Sequence, residues 1–511
     1  MKKKLPIGIQ TFADFLAENY AYVDKTPLIA RLVDEGRYYF LARPRRFGKS
    51  LLVDTLAEAF AGHRASFAGL YLEQHWDWDR ACPVVRVDLG GGVLQQPEGL
   101  NATLWDQLRK HYEKFDVTCQ QDEIHLAFAR LIEAAHHQFG ERVVILIDEY
   151  DKPILDNLER PDVARVMRDG LRNFYSVIKG QDAHLRFVLL TGVSTFSKVS
   201  LFSGLNNLKD ITLDPRYATL CGYTHDELVT VFADWLDGVD VARVREWYNG
   251  YNFLGEPVYN PFDVLLYLDS REFRSHWFET GTPSFLFQVL ERRQITLAEL
   301  DGVETDEAIL GSFDVDTIEP EALLFQTGYL TIQERRWDMS GYRYRLSYPN
   351  REVRLSLPRA QLQRYVPNAR QGQVARDRLA EALRQDDPEA LHQALHAFFA
   401  SIPHDWYRRN RLAEYEGYYA SVVYCYFAAL GVDVRPEEVS HRGQVDLAIR
   451  FQDRVWLLEC KLDEVAGPDS ALEQIKARGY HQRYAGQRVT LIGINFSREQ
   501  RNISGFAWVR E

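Results

Sequence analysis

The stretch from Tyr38 to Leu52 constrains the fold more than any other part of the chain. It reads YYFLARPRRFGKSLL: an apolar aromatic run, a polar loop, and then apolar residues at helical spacing. A strand, a tight loop ending in Gly-Lys-Ser and a helix form the context of a phosphate-binding P-loop, because the loop and helix N–H groups face the phosphates. The usual spacing asks for glycine at position 43, where this chain has Arg43. The tripeptide alone therefore predicts an ordinary helix start as readily as a nucleotide site.

In the nucleotide interpretation, each loop residue has an expected task. We expect Lys49 to reach the β- and γ-phosphates and the Ser50 hydroxyl to bind Mg²⁺. If Arg45 or Arg46 faces solvent, either one is a candidate arginine finger across the interface of a homo-oligomer. The predicted nucleotide-binding residues of the loop are Arg46, Phe47, Gly48, Lys49, Ser50 and Leu51.

A second stretch, residues 143–151, decides between these two interpretations. It reads VVILIDEYD, and its five aliphatic residues predict a buried strand of a parallel sheet. Asp148 and Glu149 end that strand, and carboxylates are costly to bury unless a cation is present. A Mg²⁺-nucleotide supplies the cation, with Asp148 beside the metal and Glu149 orienting the attacking water as a base. Loop and strand together favour an ATPase.

Two further segments fit the same interpretation with less force. The strand at 185–192 ends in Thr191, and in an AAA-like sheet it lies beside the Asp148 strand, where a polar residue senses the γ-phosphate. The segment Tyr22–Thr26 precedes the P-loop strand. It either lies against the nucleotide base or forms an ordinary helix-loop-helix.

Composition excludes several classes of protein. The 511 residues are 46% hydrophobic and carry a net charge of −12, which argues against an indiscriminate basic DNA-coating protein. The five cysteines form no CxxC pair, so neither a disulfide framework nor a zinc site is suggested. We find no signal-peptide core and no apolar run of about 20 residues, and we expect a cytoplasmic protein without a membrane partner.

The motifs of the first half resemble those of the bacterial AAA-ATPase-like family, in order, through about residue 285. The P-loop of this family is similar to the RPRRFGK of this chain. The resemblance therefore implies that the missing first glycine, replaced by Arg43, is usual in the family. Members typically carry a PD-(D/E)XK nuclease domain behind the ATPase. The resemblance rests on YVDKT at 22–26, RPRRFGKS at 43–50, IDEYD at 147–151, TGVS at 191–194, FSGLNN at 202–207, WYNGY at 247–251, YNP at 259–261 and WFETGT at 277–282.

The C-terminal part contains a hairpin that fits this second domain. Residues 443–449 (GQVDLAI) and 455–461 (VWLLECK) read as two strands around a turn. They bring Asp446 near Glu459 and Lys461, which resembles the active site of PD-(D/E)XK nucleases. We expect oxygen ligands to hold Mg²⁺ or Mn²⁺ there and Lys461 to position or deprotonate the attacking water. The predicted metal ligands are Asp446, Glu459, the Cys460 carbonyl and Glu416, and Gln474 and Tyr480 resemble auxiliary residues of the nuclease family.

These observations predict an α/β chain: an AAA-like P-loop parallel sheet with a helical subdomain, a winged-helix module and a restriction-endonuclease-like α/β domain. The module is either a nucleotide lid or a DNA contact, and a helical connector follows it. The predicted domains are 1–285 (ATPase), 286–356 (winged helix), 357–403 (connector) and 404–511 (nuclease).

The predicted function is an ATP-regulated, metal-dependent nuclease acting on nucleic acid, with DNA favoured over RNA, in defence or in the handling of mobile elements. The alternative is a nucleotide-switched signalling or scaffold ATPase whose nuclease-like domain binds nucleic acid without cleaving it. The presence of both Glu149 and Lys461 favours the enzyme.

Overall fold

The computed structural model describes residues 2–92, 94–119, 121–195, 207–279, 284–293, 295–311, 316–366, 368–402, 416–440, 443–462, 470–478, 480–484 and 486–511. The family motifs predicted at 202–206 and 280–282 lie outside these ranges. The chain divides into two compact units, one of residues 1–285 with 304–350 and one of residues 286–303 with 351–511. The four predicted domain boundaries stay a prediction.

The strands and helices of the described residues are numbered along the chain. The strands are β1 (Tyr38–Ala42), β2 (Val84–Asp88), β3 (Val143–Asp148), β4 (Leu185–Gly192), β5 (Lys209–Asp210), β6 (Glu304–Asp306), β7 (Thr331–Asp338), β8 (Gly341–Ser347), β9 (Asp433–Ser440), β10 (Gly443–Phe451), β11 (Arg454–Leu462), β12 (Arg488–Ser497) and β13 (Asn502–Arg510). The helices are α1 (Phe12–Ala17), α2 (Thr26–Glu35), α3 (Lys49–Phe60), α4 (Pro97–Lys114), α5 (Ile124–Phe139), α6 (Lys152–Leu155), α7 (Pro161–Gly180), α8 (His225–Val231), α9 (Val241–Tyr248), α10 (Pro261–Ser270), α11 (His276–Glu279), α12 (Ser284–Arg293), α13 (Leu297–Leu300), α14 (Glu307–Leu310), α15 (Pro320–Thr327), α16 (Arg351–Tyr365), α17 (Ala369–Gln385), α18 (Pro388–Ser401), α19 (Glu416–Ala428) and α20 (Ser470–Arg478).

The first unit is organised around a parallel sheet with the strand order β2-β3-β4-β1-β5. Every residue of β3 is buried, as its unbroken aliphatic run predicts. Because all strands point the same way, the ends of β1, β3 and β4 meet at one edge, where the P-loop and Asp148 lie. The predicted P-loop-like α/β sheet is confirmed.

Helices cover this sheet through apolar faces of helical period. On α7 the buried positions recur every three or four residues, and Phe174 stacks on Phe128 of α5 with ring centroids 4.5 Å apart. Beneath these helices, the parallel pairing of β3 with β4 sets their register and so fixes the residues at their ends.

A smaller sheet with the order β6-β8-β7 follows in the same unit. The helix α15 precedes the β7–β8 hairpin, which confirms the predicted order of helix and hairpin. Gly328 ends α15 with a φ of 92°, and a Cβ there would lie 2.8 Å from the Cβ of Pro44. Glycine at this position therefore lets α15 pack directly against the P-loop.

The second unit contains a mixed sheet with the order β13-β12-β11-β10-β9. The strands β11 and β12 are parallel, whereas the other pairs are antiparallel. Its core joins β11 and β12 to Ile475 of α20. This mixed α/β sheet agrees with the predicted fold class.

Within the described residues, no helix combines the length and the apolar character needed to cross a bilayer. All five cysteines are free thiols.

Candidate nucleotide and nuclease sites

The P-loop turns sharply at its end. Gly48 adopts a φ of 92°, which glycine tolerates without strain, and α3 begins at the next residue, Lys49. The Lys49 ammonium is buried and donates hydrogen bonds to the carbonyls of Arg43 (2.9 Å) and Pro44 (3.0 Å). Burial lowers the pKa of Lys49, and the nearby carboxylates of Glu149 and Asp148 oppose that shift. The loop thus presents a cation at a helix N-terminus, which suits a phosphate group.

Arg43 occupies the place of the usual glycine and has a structural task. Its guanidinium is buried and donates to the carbonyls of Ala42, Thr212 and Tyr217. It also lies 3.9 Å from the centre of the Phe253 ring. Burial lowers the pKa of Arg43 to about 10. The residue ties the loop to the segment after β5 and does not line the cavity described below.

The ends of β3 and β4 are joined by a side-chain hydrogen bond. The buried Thr191 hydroxyl donates to Asp148 Oδ1 at 2.6 Å, and the same oxygen accepts the N–H of Glu149 at 3.1 Å. Tyr150 closes the connection, because its N–H donates to the Thr191 carbonyl at 3.0 Å. The structure therefore brings Asp148 and Thr191 together, as their predicted neighbouring strands require.

Glu149 has an unusual backbone and a perturbed carboxyl group. Its φ of 51° lies in the left-handed region, which is uncommon for a residue with a side chain. Burial raises the pKa of Glu149, while the charge of Lys49 acts in the opposite direction. A carboxylate with a raised pKa is a stronger base near neutral pH. Gly90 lies beside it, since a Cβ there would be 3.0 Å from Glu149 Oε2.

A cavity of about 370 Å³ lies beside the P-loop and Glu149 in the first unit, and its described lining does not include Asp148 or Thr191. The whole predicted run from Arg46 to Leu51 lines it, together with Glu149. Tyr22 and Phe262 also line it, and Tyr22, Val23 and Lys25 bring part of the segment Tyr22–Thr26 to the cavity. A lysine, a hydroxyl and a helix N-terminus beside aromatic and apolar walls fit a nucleoside triphosphate with its Mg²⁺ ion.

The second site lies on the β10–β11 hairpin. Leu447 pairs with Leu458, and one step further along this antiparallel register Asp446 stands opposite Glu459. The N–H of Cys460 donates to Asp446 Oδ2 at 2.7 Å. The two predicted carboxylates therefore lie on the same face of neighbouring strands.

Lys461 and Gln474 complete the described part of this site. Lys461 shares the face of Glu459, and its Nζ lies 3.6 Å from Glu459 Oε1. The Gln474 amide donates to that same oxygen from α20. The close packing of α20 on β12 requires a glycine on β12, because a Cβ at Gly493 would overlap the backbone nitrogen of Leu472.

The remaining two predictions concern residues at helix starts. Glu416 is the first residue of α19, and Tyr480 begins a 3-10 helix that ends at Tyr484. The side chains of both lie outside what the structure describes, and their roles stay predictions. Among the described residues, no three or more His, Cys, Asp or Glu side chains form a metal-binding group. Two carboxylates and the Cys460 carbonyl still fit a hard, oxygen-preferring cation.

Family models match both halves of the chain. Residues 6–202 match the model described as "Predicted AAA-ATPase", and residues 414–506 match the PD-(D/E)XK nuclease superfamily. An uncharacterized protein in the vnfD 5′ region of Azotobacter chroococcum mcd 1 is 51% identical over 508 residues, covering 99% of this chain and 98% of that protein. The chain belongs to the AAA-ATPase-like family with a C-terminal PD-(D/E)XK nuclease-superfamily domain. No solved structure matches it.

The family assignment supports ATPase and nuclease potential in this AAA-ATPase-like protein. Several residues that line the cavity beside the P-loop were not predicted from the sequence. Lys25 lines the cavity and pairs with Glu227 at 2.6 Å, and Lys152 and Gly90 also line it. Of these three residues, only Lys25 belongs to a motif recognised in the sequence, YVDKT at 22–26. A lone lysine after a strand and a glycine in a run of three carry no pattern that distinguishes them from ordinary turns.

Asp151 is a further residue whose task is visible only in the fold. It is buried and accepts the N–H groups of Val193 and Ser194, the latter at 2.6 Å, and also the Ser194 hydroxyl. Burial raises the pKa of Asp151, against these hydrogen bonds. The contacts attach the turn after β3 to the end of β4, which keeps Glu149 in place.

Proposed function

We propose that this protein is an ATP-regulated, metal-dependent nuclease that cleaves nucleic acid, with DNA preferred over RNA. The observation that carries the proposal is the hairpin on which Asp446, Glu459 and Lys461 share one face. Two acidic groups and a lysine at this spacing suit the hydrolysis of a phosphodiester. The proposed setting is the cytoplasm, in defence or in the handling of mobile elements.

At the hairpin, the side chains hold one another in position for this chemistry. The Cys460 N–H orients Asp446, and Gln474 and Lys461 orient Glu459. A Mg²⁺ or Mn²⁺ ion bound by these carboxylates and the Cys460 carbonyl supplies positive charge to stabilise the developing phosphorane. Lys461 either positions the attacking water or, as a neutral amine, accepts its proton. Glu416, Gln474 and Tyr480 are proposed to complete the site.

At the P-loop, nucleotide binding requires an exchange of partners that suits a regulatory role. Lys49 donates to two carbonyls of its own loop. A bound triphosphate would accept the hydrogen bonds of Lys49, and the carbonyls of Arg43 and Pro44 would then lose this donor. Because α15 packs on Pro44 through Gly328, the change reaches beyond the loop. Ser50 and Asp148 are proposed to hold Mg²⁺, Glu149 to activate water, and Thr191 to hold Asp148.

Subunit contacts are part of the proposal. Arg45 and Arg46 line the cavity of their own chain and are both exposed, so either side chain is also accessible to a neighbouring subunit. We propose a homo-oligomer in which one of them acts as an arginine finger.

The test is cleavage of DNA and RNA substrates with Mg²⁺ or Mn²⁺, with and without ATP. Wild type is compared with Lys461→Ala, Lys49→Ala and the control Lys476→Ala, which removes an exposed lysine from α20. We expect cleavage to vanish in Lys461→Ala with ATP turnover intact. We expect Lys49→Ala to lose the ATP dependence, and the control to match wild type.

Two outcomes would change the conclusion. If wild type hydrolyses ATP but cleaves no substrate, the nucleotide-switched scaffold that binds without cutting replaces the nuclease. If cleavage is identical in Lys49→Ala and indifferent to ATP, the nuclease stands and its regulation by ATP falls.

A further inference from the structure

The tip of the β7–β8 hairpin exposes large apolar side chains. Trp337 is 69% exposed and Met339 is fully exposed, and Tyr342 is also on the surface. Trp337 and Tyr342 are register partners, and their rings meet edge to face with centroids 4.8 Å apart. Clustered exposed aromatic residues usually mark a binding surface, because leaving them in water is unfavourable.

The arginines of the hairpin separate by face. Arg335 lies two residues before Trp337, on the same face, and its guanidinium is 4.7 Å from the centre of the Tyr342 ring. On the other face, Arg336 pairs with Glu304 at 2.7 Å and Arg343 pairs with Asp338 at 3.2 Å. Arg336 and Arg343 are therefore each paired with a carboxylate of the fold, whereas Arg335 lies beside the aromatic rings.

Asp338 is a charged carboxylate, but it lies on the face opposite Trp337 and is paired there with Arg343. Its carboxylate accepts the N–H and the hydroxyl of Ser340 at 2.7 and 2.6 Å, within the hairpin turn. The Ser340 hydrogen bonds, together with Arg343, lower the pKa of Asp338 to about 2. The carboxylate is thus fully engaged in holding the turn that presents Trp337.

The hairpin does not form the nucleotide pocket. The described lining of the cavity comes from the P-loop, the N-terminal segment and the regions around Glu149, Cys221 and Phe262, and none of it from residues 331–347. The sequence left two uses open for this module, a nucleotide lid or a nucleic-acid contact, and the observed lining disfavours the lid.

We propose that the β7–β8 hairpin binds an unpaired stretch of nucleic acid, with a base stacked on Trp337 and the adjacent phosphate near Arg335. This inference rests on the proposed function only for the presence of a nucleic-acid substrate. An exposed ring suits a base because every base offers an aromatic face, and the stacking tolerates any sequence. In a chain of net charge −12, a local arginine beside the rings is needed to draw in a polyanion.

The test is binding, measured in a full-length Asp446→Asn background that keeps the oligonucleotides intact. Fluorescence anisotropy follows labelled single-stranded DNA, single-stranded RNA of the same sequence and a blunt DNA duplex. The variants are Trp337→Ala, Trp337→Phe and Arg335→Gln. The control is Trp105→Ala, which removes another partly exposed tryptophan that has an arginine, Arg109, 5.7 Å from its ring.

We expect Trp337→Ala to weaken single-strand binding roughly tenfold or more, because stacking on one base contributes about that much. Trp337→Phe keeps a ring and is expected to restore most of the affinity, and Arg335→Gln to weaken it and flatten its salt dependence. Duplex binding should change less. The DNA and RNA arms show which single strand is preferred.

Two results would overturn the proposal: an affinity unchanged by Trp337→Ala, or a wild-type protein that binds no single strand. In either case, cleavage of a long duplex lost in Lys461→Ala still supports the nuclease. The failure of this inference is therefore separate from the failure of the proposed function. Trp337→Phe and circular dichroism guard against a misfolded alanine variant.

Discussion

The two candidate sites of this protein are built by different means. At the P-loop, backbone groups and strand ends converge: Gly48 and Glu149 both have positive φ, and Lys49 donates to carbonyls of its own loop. The hairpin site is built mainly from side chains: the register of β10 with β11, continued by one residue, puts Asp446 opposite Glu459, and the Cys460 N–H binds Asp446.

Because of this difference, the two sites are sensitive to different kinds of substitution. The P-loop site depends on conformations that only certain residues tolerate, and burial there lowers the pKa of Lys49 and raises the pKa of Glu149. The hairpin site depends on strand register and on the approach of a helix over Gly493. Removing a functional group should therefore disable either site. Replacing a glycine should displace Glu149 at the first site and disturb the packing of α20 at the second.

The largest effect is expected from Glu149→Gln. Losing the carboxylate removes the proposed base, and ATP hydrolysis should fall about 10²- to 10⁴-fold with nucleotide binding retained. In wild type, turnover should decline as the pH falls through the pKa of Glu149, which burial raises above its ordinary value, because the protonated carboxyl cannot act as a base. Steady-state turnover and titration with a fluorescent nucleotide measure both. The control Glu113→Gln changes an exposed glutamate of α4, and equal loss in both variants would refute the assignment.

The hairpin should respond strongly to Gln474→Ala. The amide that orients Glu459 is lost, and cleavage is expected to fall roughly 10- to 100-fold, as for other residues that orient metal ligands. ATP turnover should be unchanged. Cleavage rates at several Mg²⁺ concentrations separate weaker metal binding from a slower chemical step. The exposed neighbour Glu473→Ala is the control, and a full-rate Gln474→Ala would contradict the geometry.

Gly493→Ala should damage the second site through packing. The new methyl group meets the main chain of α20 and would lie 2.9 Å from the Ala471 carbonyl carbon. We expect a loss of roughly 1–3 kcal/mol in the free energy of unfolding, as for other overpacked sites, together with slower cleavage. Urea denaturation measures the stability. In the same unit, Gly372→Ala should be neutral or stabilising, because its Cβ finds only ordinary contact 3.7 Å away.

The smallest effect is expected from Gly90→Ala at the first site. Its Cβ would lie 3.0 Å from Glu149 Oε2 and 2.9 Å from Asp88 Oδ1, and both are mobile side-chain ends. A small displacement of Glu149 should lower the kcat of ATP hydrolysis a few-fold and leave KM nearly unchanged. Gly91→Ala is the matched control, since nothing lies within 4 Å of its Cβ. Identical kcat values in the two variants would show that Gly90 does not position Glu149.

Much of the fold could be predicted because its signals are local. The β-branched and aliphatic run at 143–147 favours a buried strand, and the P-loop strand ends at Ala42 with a helix starting at Lys49, as the stretch from Tyr38 predicts. The Asp446 hairpin was likewise predictable, since a two-residue turn at 452–453 fixes which residues stand opposite each other.

The contacts that span the chain could not be predicted in this way. Arg43 binds the carbonyls of Thr212 and Tyr217 about 170 residues away, and no local pattern marks it as anything other than a missing glycine. The exposure of Trp337 could not be predicted from the sequence either. A strand with aromatic and arginine residues on alternate positions does not reveal which face will remain in water.

Three features follow from the sequence alone: the strand–loop–helix of the P-loop, the acidic end of β3, and the alternation that puts Glu459 and Lys461 on one face. Each of them depends only on neighbours within a few residues. The tertiary structure alone decided that Thr191 binds Asp148, that Gln474 reaches Glu459 over Gly493, and that Trp337 stays exposed. These features depend on strand order and helix packing, which bring together residues whose separation along the chain carries no signal.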